Sequence, residues 1–156
     1  MLVREQPATE LTIATRILAR AGVLADDRRI TLRLRDVLYI GGRDAALATM
    51  TPYDVAVVLV ADGATLHGQP PTDVESYLEM HRRAPELASV ARLSRGDCVS
   101  GPSLRGCVVA ALRRVRGDEP SVADDAAIEA AWLELVSQAR ISGALIGAFP
   151  TENDPP

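Results

Sequence analysis

From Thr9 onward, Leu11, Ala14, Leu18 and Ala21 fall at the three-and-four spacing of a helix face, with Ile17 beside them and Gly22 placed to end it. Ile30 to Leu34 and Val37 to Ile40 run apolar or alternate around Arg35-Asp36 and close at Gly41-Gly42, which predicts an antiparallel hairpin. Val55 to Val60 is a continuous, largely β-branched run ending at Asp62-Gly63, the pattern of a central strand buried on both faces. After Gln69-Pro70-Pro71, Thr72 with Glu75 three residues on reads as a capping box opening a helix that carries Val74, Tyr77, Leu78 and His81 and ends by Pro85.

Leu87 to Leu93 reads as a further strand, Ser94 to Ser103 as a loop, and the apolar run Cys107 to Val115 as another strand. Ser121 with Asp124 would cap a long helix, in which Ile128, Ala131, Trp132, Leu135 and Ala139 share one face until Gly143. That stripe has the spacing of core or subunit interface. The order of elements predicts an α/β fold, a sheet covered by helices, forming one domain over residues 1–150 with a disordered tail over 151–156.

Composition narrows the chemistry. All 17 basic residues are arginine, so neither a Schiff-base lysine nor a P-loop lysine is available. Net charge is −4, which argues against nucleic acid as a partner. No apolar run is long enough for a membrane helix and the first ten residues lack a secretion-signal pattern, so a cytoplasmic location is expected. The two cysteines, Cys98 and Cys107, fit free thiols better than a disulfide or zinc site. His67 and His81 have no recognised ligand spacing.

Three stretches, Ala14 to Leu34, Met50 to Gly68 and Pro70 to Val90, together with the helix Ala126 to Gly143, resemble the class II aldolase and adducin family. The second is the most specific, with its threonine-proline-x-aspartate turn (Thr51, Pro52, Asp54), valine-rich strand and Asp62-Gly63 hairpin. The resemblance implies a three-layer α/β/α sandwich with a mixed sheet and helices on both faces, and assembly into oligomers. It also implies a shortened chain, with much of the segment after the metal pair missing. Members generally hold a divalent metal with three histidines, two of them a pair that falls here on Arg92 and Ser94. A permanent cation and a lone hydroxyl are poor ligands, so no metal and no cofactor is expected.

The family's catalytic glutamate falls on Asp73, a carboxylate one methylene shorter. Its phosphate-binding positions fall on Arg28-Arg29, Ile40-Gly41-Gly42 and Pro71-Thr72, while Thr31 and Arg33 stand where the family has serine and arginine. Arg29, Thr31, Arg33, Gly41, Gly42, Thr72, Arg92 and Ser94 are therefore the expected anion-binding set, through arginine forks, hydroxyls and backbone amides. Two functions follow. One is a degenerate, metal-free domain that binds a small sugar-phosphate or carboxylate, or serves as a non-catalytic subunit beside copies of itself or an intact paralogue. The other is a lyase of altered mechanism, with Asp73 as acid/base and Arg92 in place of the metal.

Overall fold

The computed structural model describes residues 5–25, 27–117 and 124–149. The chain opens with helix α1 (Glu5–Arg20), closed as its glycine predicts. Gly22 takes φ +77°, its amide donates to Ala19, and the Val23 amide donates to Leu18, the paired bonds of a Schellman C-cap. The hairpin β1 (Thr31–Leu34) and β2 (Val37–Gly41) follows, with Leu34 opposite Val37 and Arg35 held at φ +56° in the turn.

A short 3-10 turn, Pro52–Asp54, leads into β3 (Val55–Leu59), which pairs with β2 on one side and β4 (Thr65–His67) on the other. Helix α2 (Val74–Arg83) comes next, then the pair β5 (Ser89–Arg92) and β6 (Cys98–Gly101), then α3 (Leu104–Val115) and α4 (Asp125–Ile141).

Strand β3 shows why the molecule has three layers. Its side chains alternate between two cores: Val55 and Val57 join α1, α3 and Trp132 of α4, whereas Ala56 and Val58 join Leu38, Ile40 and the Tyr77 and Leu78 of α2. A strand buried on both faces reads as a continuous apolar run, and each fully buried residue of this size contributes about 1.5–3 kcal/mol. Among the described residues the ladders are antiparallel, where a mixed sheet was expected.

Three local expectations are corrected. The run Cys107 to Val115 lies in helix α3 rather than a strand, because Leu104, Cys107, Val108, Ala111 and Leu112 bury at helical spacing and Ser103 caps the first turn by accepting from the Gly106 amide at 3.0 Å. The loop over 94–103 contains β6, a short edge strand of small residues whose Val99 and Gly101 alone turn inward. The capping box at Thr72 does not form. Asp73 is the N-cap of α2 without a side-chain cap bond, and Glu75 instead pairs with Arg82. Asp124 caps α4 as expected, accepting from the Ala127 amide at 2.8 Å, while Ser121 and the 151–156 tail lie outside the described residues.

No helix among the described residues is long and apolar enough to cross a membrane.

Candidate functional site

The chemistry gathers where α2 begins beside the end of β5. Arg92 is the last residue of β5, and its side chain reaches the first turn of α2. Its Nη1 donates to Ser76 Oγ at 3.0 Å and lies 3.4 Å from Asp73 Oδ2. The guanidinium stands 5.6 Å from the centre of the Tyr77 ring, close enough for the cation to be attracted to the ring face. Asp73 and Arg92 are both partly open to solvent, at 40% and 27% of their side-chain surface. Nε and Nη2 of Arg92, the side-on fork of the guanidinium, make no hydrogen bond among the described residues.

The floor beside this pair comes from β6. Cys98 is the register partner of Arg92 and Ser100 that of Val90, so both point to the face that carries α2. Both are exposed. Sequence reasoning missed this shelf, since its signal depends on pairing β6 with β5 and β6 was read as loop. The other thiol, Cys107, faces the opposite core, where burial pushes its pKa up to about 12.

Tyr77 anchors the wall. It is fully buried, and its phenol oxygen accepts the Arg29 amide at 2.9 Å. Burial, with the Asp73 carboxylate adding to it, pushes the phenol up to about 12, so it stays protonated across the physiological range.

Most of the other expected anion ligands are bonded within the chain rather than gathered around Arg92. Arg29 is buried with its guanidinium donating to the carbonyls of Arg28, Gly41, Gly42 and Arg43 at 2.9–3.4 Å. The Gly42 amide donates to Asp54 O at 2.8 Å. Those glycines exist for close packing: a Cβ on Gly42 would stand 2.6 Å from Asp54 O, and one on Gly41 3.2 Å from the Arg29 side chain. Arg33 donates to the carbonyls of Arg35 and His81, both at 2.8 Å. Thr31 contacts His81 Nε2 at 2.7 Å and accepts the Val90 amide at 3.0 Å. Ser94 donates its hydroxyl to Val23 O at 3.0 Å, away from Arg92. Thr72 is exposed beside Asp73. Asp73, Thr72 and Arg92 therefore share one place, joined by Ser76, Tyr77 and Cys98.

The donor set here does not fit a divalent metal. Among the described residues no three His, Cys, Asp or Glu side chains come together to hold one. His81 has both ring nitrogens in hydrogen-bond contact and His67 lies on β4.

No family model and no curated protein matches the sequence. Solved structures do match. An aldolase II superfamily protein from Pseudomonas syringae superimposes with TM-score 0.73 at 10% identity over 92% of this chain and 96% of its own. L-fuculose 1-phosphate aldolase from Glaciozyma antarctica PI12 gives TM-score 0.58 at 12% identity, over 93% and 89%. YgbL from Escherichia coli gives 0.52 at 23% identity, over 57% of this chain, and the match spans only 44% of YgbL. The fold is that of the class II aldolase superfamily.

Proposed function

We propose that this chain is a metal-free domain of the aldolase fold that holds a small carboxylate or phosphate on Arg92 without turning it over. The observation that carries the reading is the Arg92 side chain. Its Nη1 is tied down by Ser76 and Asp73 while Nε and Nη2 make no hydrogen bond among the described residues and the side chain keeps 27% of its surface exposed, and that planar edge matches a carboxylate or phosphate in two parallel hydrogen bonds. The Asp73 carboxylate positions the guanidinium and limits its affinity, since an incoming anion meets a cation already half neutralised. Binding in the millimolar range is expected for so few contacts, equivalent to about 4 kcal/mol.

Proton-coupled backbone NMR shifts during titration with inorganic phosphate and with glycolate would test this. Shifts should centre on 72–77, 92 and 98–100, and Arg92→Gln should weaken binding by tenfold or more. Alkylation of Cys98 by iodoacetamide should slow at saturating phosphate, since that thiol is exposed and Cys107 is buried. Absence of shifts up to about 50 mM ligand, far above the millimolar range, or an unchanged Arg92→Gln variant, would refute the assignment. Elemental analysis of the purified protein for zinc, manganese, iron and cobalt should return background levels, and a stoichiometric ion would overturn the metal-free reading. Turnover of a phosphorylated sugar that Asp73→Asn abolishes while binding persists would instead establish the lyase.

A further inference from the structure

Helix α4 is unlike the other helices in what it leaves uncovered. Only Trp132 of its 17 residues is buried, yet the helix is rich in alanine, leucine, isoleucine and valine. Ala126, Ala130, Leu133, Ser137 and Ile141 are all exposed, and their spacing of three and four residues puts them on a single stripe. Leu133 is 58% exposed and Ile141 85%, and Ile146, 79% exposed in the turn that follows, extends the patch. A groove of about 360 Å³ runs along the same helix, bordered by Leu133, Ile141, Trp132, Phe149 and Ile13.

Charge is distributed asymmetrically along one edge of the stripe. Glu129 and Arg140 stand three turns apart and so on the same side. Glu129 pairs with Arg105 of its own chain but keeps 48% of its side chain exposed. Arg140 stacks on the Phe149 ring at 4.6 Å and has no carboxylate partner among the described residues. The first turn adds Asp124 and Asp125, so the helix is acidic at its start and basic at its end.

We infer that α4 is the contact surface for a second copy of this chain, packed antiparallel about a two-fold axis near Leu135. In that register three pairings fall into place together: Leu133 over Ser137 of the other copy, Ala130 over Ile141, and Glu129 against Arg140. The two-fold axis makes each occur twice, as an isologous interface requires. A large apolar residue meets a small one at each crossing, which lets the helices approach closely. Parallel packing would set Glu129 on Glu129 and Arg140 on Arg140. Helix α4 is about 26 Å long at 1.5 Å per residue, and one helix of that length buries less than the roughly 800 Å² per partner of a standard interface. The dimer is therefore weak and concentration-dependent.

Sedimentation velocity on the full chain, from about 5 μM to about 500 μM, spans the range expected for so small an interface. The weight-average mass should rise from monomer toward dimer. Leu133→Glu and Ile141→Glu should each weaken association at least tenfold while far-UV circular dichroism and melting temperature stay near parent. Arg140→Glu alone and Glu129→Arg alone should each weaken it, and an equimolar mixture of those two chains should restore it, because every pair then becomes attractive. A parent that stays monomeric throughout, or stripe variants that associate like parent, would overturn the interface. A mixture of folded charge variants that fails to recover would overturn the antiparallel register.

Discussion

His81 has no accessible surface, and its two ring nitrogens explain why it is kept there. Nδ1 faces the Leu87 carbonyl at 3.3 Å and so carries the proton, which leaves Nε2 to accept from the Thr31 hydroxyl at 2.7 Å. Burial lowers its pKa, the positive Arg33 adds to the lowering, and the Leu87 carbonyl opposes it. The unfolded chain therefore binds more protons than the folded one as pH falls below about 6.5, so stability is present above that value and declines as pH drops through the folded pKa. The limiting slope is about 1.4 kcal/mol per pH unit. His81→Gln should be less stable at pH 7 but lose less between pH 7 and pH 5 than parent in urea denaturation, and equal slopes would remove His81 from the acid response. No sequence rule announced this role. A lone histidine late in a helix carries no spacing signal, and its partners come from β1 and the segment after α2. The closeness of Asp73 and Arg92, by contrast, was legible through the resemblance.

At the scale of elements, what the sequence reveals depends on whether local chemistry and burial agree. Helix α1 ends on a glycine in the left-handed region, and so does α4 at Gly143, φ +76°, where the Ala144 amide donates to Ala139. Both boundaries were readable because glycine is the residue that such a cap selects. Strand β3 was readable because its β-branched run has the length of a strand and lies between turn residues. Helix α3 was misread because Cys107-Val108-Val109-Ala110-Ala111-Leu112 is apolar at every position, and an unbroken apolar run does not reveal its period. The deciding information was Ser103, one turn upstream, whose hydroxyl accepts the Gly106 amide. Ser103→Ala should cost about 1 kcal/mol, the usual value of an N-cap, whereas Ser103→Asp should retain most of the stability. A Ser103→Ala variant as stable as parent in urea denaturation would show that the cap contributes nothing.

At the scale of the molecule, β5–β6 meets the four-stranded sheet along β1 through a seam only partly made of backbone. Main-chain bonds run from Arg33 N to Ala88 O at 2.7 Å and from Arg92 N to Arg29 O at 3.1 Å, with Ile30 bridged to Ala91. Between them the Thr31 hydroxyl accepts the Val90 amide, and the Ser89 hydroxyl donates to Thr31 O at 2.7 Å. Thr31 thus joins β1, β5 and α2 through one oxygen, and Arg92, three residues past Ser89, is held against α2 by the same seam. The resemblance placed Thr31 at a family position, but its use as a joint depends on β5 lying beside β1, which no local pattern specifies. Thr31→Val keeps the shape and deletes the oxygen, leaving the Val90 amide and His81 Nε2 without partners in a buried place. At about 1–3 kcal/mol for each unsatisfied group, the loss should reach about 2–6 kcal/mol, against about 1 kcal/mol for Thr31→Ser, which loses a methyl group and keeps the oxygen. Amide exchange should locate the damage: Val90 and Arg92 should lose protection in Thr31→Val while Val57 and Val58 on β3 keep theirs, since β3 is paired on both sides by other strands. Uniform loss of protection across both strands would mean that the sheet opens as one unit and that the seam is no weaker than the ladders around it.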